Sequence, residues 1–285
     1  WSSLRWPSGC SIRTVVRCRS SEFRPAGERS PAGEVAVLTD ALVRDLAAFG
    51  PFFAVQTHHR GSIPEPWHTM NELVDNPDVL MDRVAAVRSR LATAGGQAPE
   101  SVELRVAASV TYLGLVARLV SPALAVAVTS GELLQVDLDS TRWQRVLGGA
   151  FPLSVQRGAA ADASGHDVSP ECLAGLLARH VLDGPVRDLL EVTRTLSVSP
   201  QVLWGNVASA LNGAASMIAA SQPAWTNRVR VITSLLLDQP PLRDTATASA
   251  DGRFRRRSCC LIYRAAPNVA GFVCGDCVLS SDPPP

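Results

Sequence analysis

Apolar residues recur at helical spacing over most of the chain, and the breaks in that rhythm mark the joints between elements. Val35, Leu38, Leu42, Leu46 and Phe49 lie three or four apart and stop at Gly50-Pro51, which predicts a first amphipathic helix. Residues 52–56 form a short strand candidate. Residues 57–69 hold two prolines and no period, so they read as a loop carrying His58, His59 and His68. Thr69 with Glu72 has the form of a capping box, and Asn76-Pro77 restarts the helix with a cap and a first-turn proline. Leu80, Val84, Val87 and Leu91 then share one face as far as Gly95-Gly96. The next helix runs from about 99 to 120 and is apolar nearly all round, which places it at the centre of the core. Pro122 is expected to end it and to open a second element.

After Gly131 the pattern turns to partial alternation. Residues 132–146 predict a β-hairpin turning near Asp139-Ser140, and 153–156 a third strand. Residues 158–169 are alanine, glycine and polar, a mobile surface loop in which His166 is solvent-exposed. Helices resume at Pro170 and at Pro185. Ser199-Pro200 opens another, carrying Val202, Leu203, Val207, Leu211 and Ile218 together with Trp204, Gly205 and Asn206. Gly205 and Gly213 are poor helix formers, and their place there permits close approach of another element. A last helix covers about 224–237, residues 245–252 read as a linker, and 254–264 and 272–279 as two short strands joined by a turn at 267–271. The fold class is α+β. A mainly helical domain with a small hairpin or meander spans 34–244, and a linker and cysteine-rich hairpin span 245–285. Residues 1–33 form a disordered leader in which Cys10 and Cys18 are given no role.

Composition narrows the functions open to this fold. The 285 residues are 46% hydrophobic, enough for a sizeable core. Twenty-seven Lys and Arg balance 26 Asp and Glu, so the net charge of +1 gives no global pull towards nucleic acid or a membrane surface. Arg5, Arg13, Arg17 and Arg19 interrupt the first twenty residues, which lack the apolar core of a secretory signal, and the expected location is cytoplasmic. The apolar run 106–130 is long enough to cross a bilayer. Arg118 and Pro122 oppose that reading, because an arginine near mid-bilayer costs at least ~2.5 kcal/mol. No phosphate-binding loop, nucleophile elbow or dinucleotide fingerprint is found.

Chemistry concentrates at the end of the chain. Cys259, Cys260, Cys274 and Cys277 are four of the seven cysteines and form the pattern C-C-x13-C-x2-C. A disulfide staple, a structural zinc and an iron-sulfur cluster are the three readings. Disulfides serve mostly small chains in oxidising compartments. Zinc favours two C-x2-C knuckles around one tetrahedral ion, and only Cys274 and Cys277 have that spacing. Adjacent side chains on an extended backbone point to opposite sides, so Cys259 and Cys260 meet on one ion only through a sharp kink. A [2Fe-2S] rhomb takes two thiolates on each of two irons and relaxes that demand; it is favoured, with zinc the alternative. Arg253, Arg255, Arg256 and Arg257 precede the pair. Their charge would raise a cluster's potential or dock an anionic partner, or would form only a solvated face.

These residues carry a resemblance. RRRSCCLIYR followed by CGDCVL resembles the C-terminal [2Fe-2S] segment of the FhuF-like ferric siderophore reductases, and SPQVLWGNVASAL (199–211) resembles the Leu-Trp-Gly-Asn segment that precedes it. The likeness covers about residues 50–279, and the cysteine segment is its specific part. One departure is the spacer between the cysteine pairs, a few residues longer here, which a longer hairpin tip at 267–271 would absorb. The resemblance implies that Cys259, Cys260, Cys274 and Cys277 hold the cluster, and that the protein reduces a ferric siderophore to release Fe(II). It further implies an electron donor of the ferredoxin or flavin-reductase kind and peripheral association with a siderophore importer. Arg255, Arg256, Arg257 and Trp204 are the candidates for substrate or donor docking. Two other functions stay open: a zinc-stabilised binding module, and a siderophore-assembly enzyme, for whose nucleotide-binding half the chain is short.

Overall fold

The computed structural model describes residues 38–61, 63–158, 160–161, 168–248, 254–266 and 273–279. Eight α-helices occur among them: α1 Asp40–Ala48, α2 Glu72–Asp75, α3 Pro77–Ala94, α4 Leu104–Thr129, α5 Pro170–Leu177, α6 Arg187–Arg194, α7 Pro200–Ser221 and α8 Thr226–Leu237. Their starts follow the polar residues that precede them. Thr39, Asn76, Ser169 and Ser199 each accept a backbone N–H of the first turn through the side chain, and Pro77, Pro170 and Pro200 occupy first-turn positions where no N–H is missed. The mainly helical α+β architecture expected from the sequence is what the chain adopts.

The centre of the core is α4, buried around almost its whole circumference and packed against α3, α6, α7 and α8. It continues straight through Pro122 rather than ending there. A proline inside a helix costs about 3 kcal/mol. Leu115, Val116, Leu119 and Val126 are fully buried on the same helix, and each contributes about 1.5–3 kcal/mol of transfer free energy, so the packing offsets the break. Among the described residues α4 is also the one helix long and apolar enough to cross a membrane, and 78% of its most apolar window is buried inside the protein. Arg118 sits in its middle, 1% exposed. It donates to the carbonyls of Phe151 (3.0 Å), Ala54 (2.8 Å), Pro51 (3.4 Å) and Phe52. The arginine thus ties two loops to the core helix. Burial lowers its pKa to about 10, which leaves it charged at neutral pH.

The strands are short and pair differently from the expected hairpin. β1 Gln56–His58, β2 His68–Thr69, β4 Arg142–Trp143 and β5 Leu153–Gln156 form one sheet in the order β1-β5-β4-β2, with β1 parallel to β5 and the other pairs antiparallel. β3 Leu133–Leu134 pairs with β6 Ala160–Ala161, so residues 132–146 contribute one strand to each of two sheets. Burial explains the split: Leu133, Leu134 and Trp143 all enter the core, which a solvent-facing hairpin would not allow. His58 and His68, expected in a loop, lie on strands. His58 Nδ1 is 2.9 Å from Ser154 Oγ, and His68 Nδ1 is 3.4 Å from Glu72 Oε1. Thr69 is therefore a strand residue, and Asn71 takes the N-cap position of α2. The helical stretch Ala178–Val186 is broken by a kink at Gly184, and Pro185 stands, as expected, in the first turn of the helix that continues into α6. The expected leader, the turn at 267–271, His166 and Arg253 lie outside the described residues.

Candidate metal centre

The C-terminal segment docks in the angle between α4 and α7, and two glycines make room for it. β7 Ala246–Ala248, expected as linker, pairs antiparallel with β8 Phe254–Arg256. This corrects the expected pairing of 254–264 with 272–279. Residues 273–279 form a turn, in which Cys277 N–H donates to the Cys274 carbonyl at 3.1 Å, and Ile262–Ala265 is a 3₁₀ turn. Cys274 and Cys277 thus flank a turn, and Cys259 and Cys260 lie just before the 3₁₀ turn, which the left-handed Leu261 opens. A Cβ at Gly205 would lie 2.3 Å from Ser258 Oγ and 2.9 Å from Arg256 Nη2, and one at Gly95 would lie 2.6 Å from the Ala265 carbonyl oxygen. Only glycine permits either approach.

Polar contacts complete the dock. Ser109 Oγ on α4 donates to the Cys260 carbonyl at 2.9 Å, and Asn206 Nδ2 on α7 donates to Ser109 O and Oγ at 2.9 and 3.1 Å. Ser258 Oγ donates to Gln201 O (3.1 Å), Ser209 Oγ to Asp276 Oδ2 (2.6 Å), and Arg256 N–H to Asp276 O (3.2 Å). Gln97 Nε2 donates to the Ala265 carbonyl, and Arg264 pairs with Glu103 at 2.5 Å. Of these groups, Gly205, Asn206 and Ser209 lie within the string 199–211 and Arg256, Ser258 and Asp276 within the cysteine strings, so their neighbourhood was marked in the sequence. Ser109 and Gln97 carry no local signal, because their role exists only once distant elements meet.

All four thiols are free. Cys260 and Cys277 are buried, Cys259 and Cys274 half-buried. The Cys274 thiol donates to the Cys260 sulfur, which holds the Cys260 pKa down at about 6, aided by the Ile262 N–H and Arg256; the same bond pushes Cys274 up. Burial raises Cys259, which also feels Cys260 and Cys277. Leu261 N–H points at Cys259 Sγ and Leu279 N–H at Cys277 Sγ, each at 3.3 Å. Beside them lies Arg256, 1% exposed. Its Nη2 donates to Val202 O at 3.1 Å, while its Nε and Nη1 are buried without a hydrogen-bond partner. Burial lowers its pKa, and Cys260, Cys274, Asp276 and Cys259 act in the opposite sense by their charge.

Residues 256–279 match the FhuF 2Fe-2S C-terminal domain.

The match supports the FhuF-like reading of the tail and an iron-sulfur cofactor for it. Comparison with curated proteins gives no match. Among the described residues, no three His, Cys, Asp or Glu side chains gather closely enough to enclose a single ion. The donor set of the FhuF-type segment fits a wider group on chemical grounds. It offers four soft sulfurs, N–H groups aimed at two of them, and a buried cation with unmade hydrogen bonds that favours negative charge at the thiols. The docking candidates separate. Arg256 faces the thiols, Arg255 is half-buried on the other side of β8, and Arg257 is exposed with its N–H bonded to Thr245 O. Trp204 is 8% exposed within the core, with the Arg187 guanidinium 5.3 Å from its ring centroid. It supports α7 from inside and is not presented to a ligand at the surface.

Proposed function

We propose that the protein is an iron-sulfur oxidoreductase that reduces a ferric siderophore by one electron in the cytoplasm, so that Fe(II) is released. The match of residues 256–279 to the FhuF 2Fe-2S C-terminal domain carries this reading. In it, Cys259, Cys260, Cys274 and Cys277 hold a [2Fe-2S] group, which when bound supplies reversible one-electron transfer. The substrate chemistry is consistent with that. Fe(III) is small, hard and held tightly by siderophore oxygens, whereas Fe(II) carries less charge and binds them weakly, so one electron opens the complex.

The protein's own groups do the rest. Arg256 places a fixed positive charge beside the thiolates and stabilises added negative charge in a site with little water to screen it. The Leu261 and Leu279 amides withdraw charge from Cys259 and Cys277. Burial of Cys260 and Cys277 keeps solvent from two of the sulfurs, while Tyr263, Val273 and Leu279 are exposed near them and form an edge that a chelate or a donor can approach. No nucleophile or general base is needed at the substrate. A ferredoxin-like protein or flavin reductase as donor, and an importer as membrane-side partner, complete the proposal.

Anaerobic purification followed by iron and acid-labile sulfide assays, EPR of the reduced protein and ferric-chelate reduction tests it. Iron and sulfide in equal amounts, a visible band that bleaches on reduction, and Fe(II) release are expected. Colourless protein with one zinc would refute it.

A further inference from the structure

Between α3 and α4 lies a cavity of about 410 Å³, walled mainly by Val87, Leu91, Val110 and Leu113, a size typical of small-molecule sites. The charged residues that line it are Arg83 and Arg90, and no carboxylate among the described residues does. Arg83 is 8% exposed. Its guanidinium lies 4.9 and 4.6 Å from the ring centroids of Trp143 and Phe151, and Nη1 makes one long bond of 3.3 Å to the Val146 carbonyl. Nε is buried with no partner. Burial brings its pKa down to about 10, so it is still a cation at neutral pH. A buried cation without an anion is costly. In the same wall Thr111 is 4% exposed, and its hydroxyl has no partner.

Gly114 adds an independent observation. It sits within α4, where glycine costs about 1 kcal/mol relative to alanine, yet a Cβ built on it meets nothing within 4 Å. At Gly205 the missing side chain is replaced by Ser258 and Arg256; at Gly114 the space stays open into the cavity.

We propose that this cavity binds a monoanionic amphiphile, an alkyl carboxylate whose head group pairs with Arg83 and whose chain lies over Gly114 between α3 and α4. Apolar walls suit the chain, and a ligand with several polar groups would strand them unbonded against Val110 and Leu113. Arg90, exposed at the rim, adds positive potential at the mouth. This site is separate from the cysteine segment and does not depend on the reductase reading.

Calorimetric titration of the full chain with decanoate, decanol and decyltrimethylammonium, each below its micelle concentration, tests it. Decanoate is expected to saturate a single site, with decanol about tenfold weaker for want of the charge-assisted bond and the cationic analogue not binding. Gly114→Leu fills the space of the chain and should abolish decanoate binding without lowering the melting temperature. Arg83→Met should bring decanoate down to the affinity of decanol. Equal affinities for the three probes, or unchanged decanoate binding in Gly114→Leu, would overturn the proposal. If Arg83→Met does not fold, Gly114→Leu and the probe series decide.

Discussion

Replacing Gly205 by alanine sets two effects of opposite sign against each other. Helix propensity alone favours alanine inside α7 by about 1 kcal/mol. The added Cβ, however, would stand 2.3 Å from Ser258 Oγ and 2.9 Å from Arg256 Nη2. Ser258 can turn away only by giving up its bond to Gln201 O, a loss of about 0.5–1.5 kcal/mol. Arg256 is 1% exposed and held by Val202 O, so it has little room to retreat. Overpacking of this kind costs about 1–3 kcal/mol. The sum is a net destabilisation of about 1–3 kcal/mol, or a melting temperature lower by several degrees at about 2–4 °C per kcal/mol. Thermal unfolding followed by circular dichroism measures it, with iron content and visible absorption of anaerobically purified protein read in parallel. Because the clash falls on the cysteine segment, cofactor retention should fall along with stability. Ser258→Gly in the Gly205→Ala background should recover part of both. A higher melting temperature with unchanged iron in Gly205→Ala would refute the docking of the tail against α7.

Arg256→Gln should lower the reduction potential by roughly 50 mV or more, about 1 kcal/mol for one electron, while Arg255→Gln and Arg257→Gln leave it in place; a redox titration showing equal shifts in all three would remove the special role of Arg256. Cys274→Ser should lose most of the bound iron and sulfide and slow ferric-chelate reduction, and retained colour with full activity would take Cys274 out of the ligand set. His58 is held neutral, its pKa lowered first by burial and then by Arg142. With the folded pKa depressed below the usual value of about 6.5, the unfolded chain takes up the proton first, so this contribution to stability is present above that pH and is lost as pH falls through the folded pKa. His58→Gln should therefore narrow the difference in melting temperature between neutral and mildly acidic buffer, and an unchanged difference would show that His58 does not carry that dependence.

Much of the fold was legible in the sequence because its signals are local. Asn76 and Ser199 announce helix starts through a side-chain oxygen that reaches only two or three residues along the chain, and the prolines at 77, 170 and 200 mark first turns for the same short-range reason, whereas the caps at Thr39 and Ser169 emerged only from the structure. Cys259, Cys260, Cys274 and Cys277 declare their chemistry by type and spacing, and residues 256–279 carry it far enough to match an iron-sulfur domain. Pairing and close approach needed the tertiary structure. Local propensity gave Pro122 as a helix end, but the buried surface of α4 outweighs the lost hydrogen bond. β8 takes β7 as its partner instead of the following cysteine turn, a choice that depends on where α7 lies. The same holds for Gly205 and Arg256. Composition shows a glycine in a helix and an arginine in a basic run, but only the docking of the tail makes one the slot and the other a buried charge beside the thiols, because burial and electrostatic reach are properties of neighbours in space and not of neighbours along the chain.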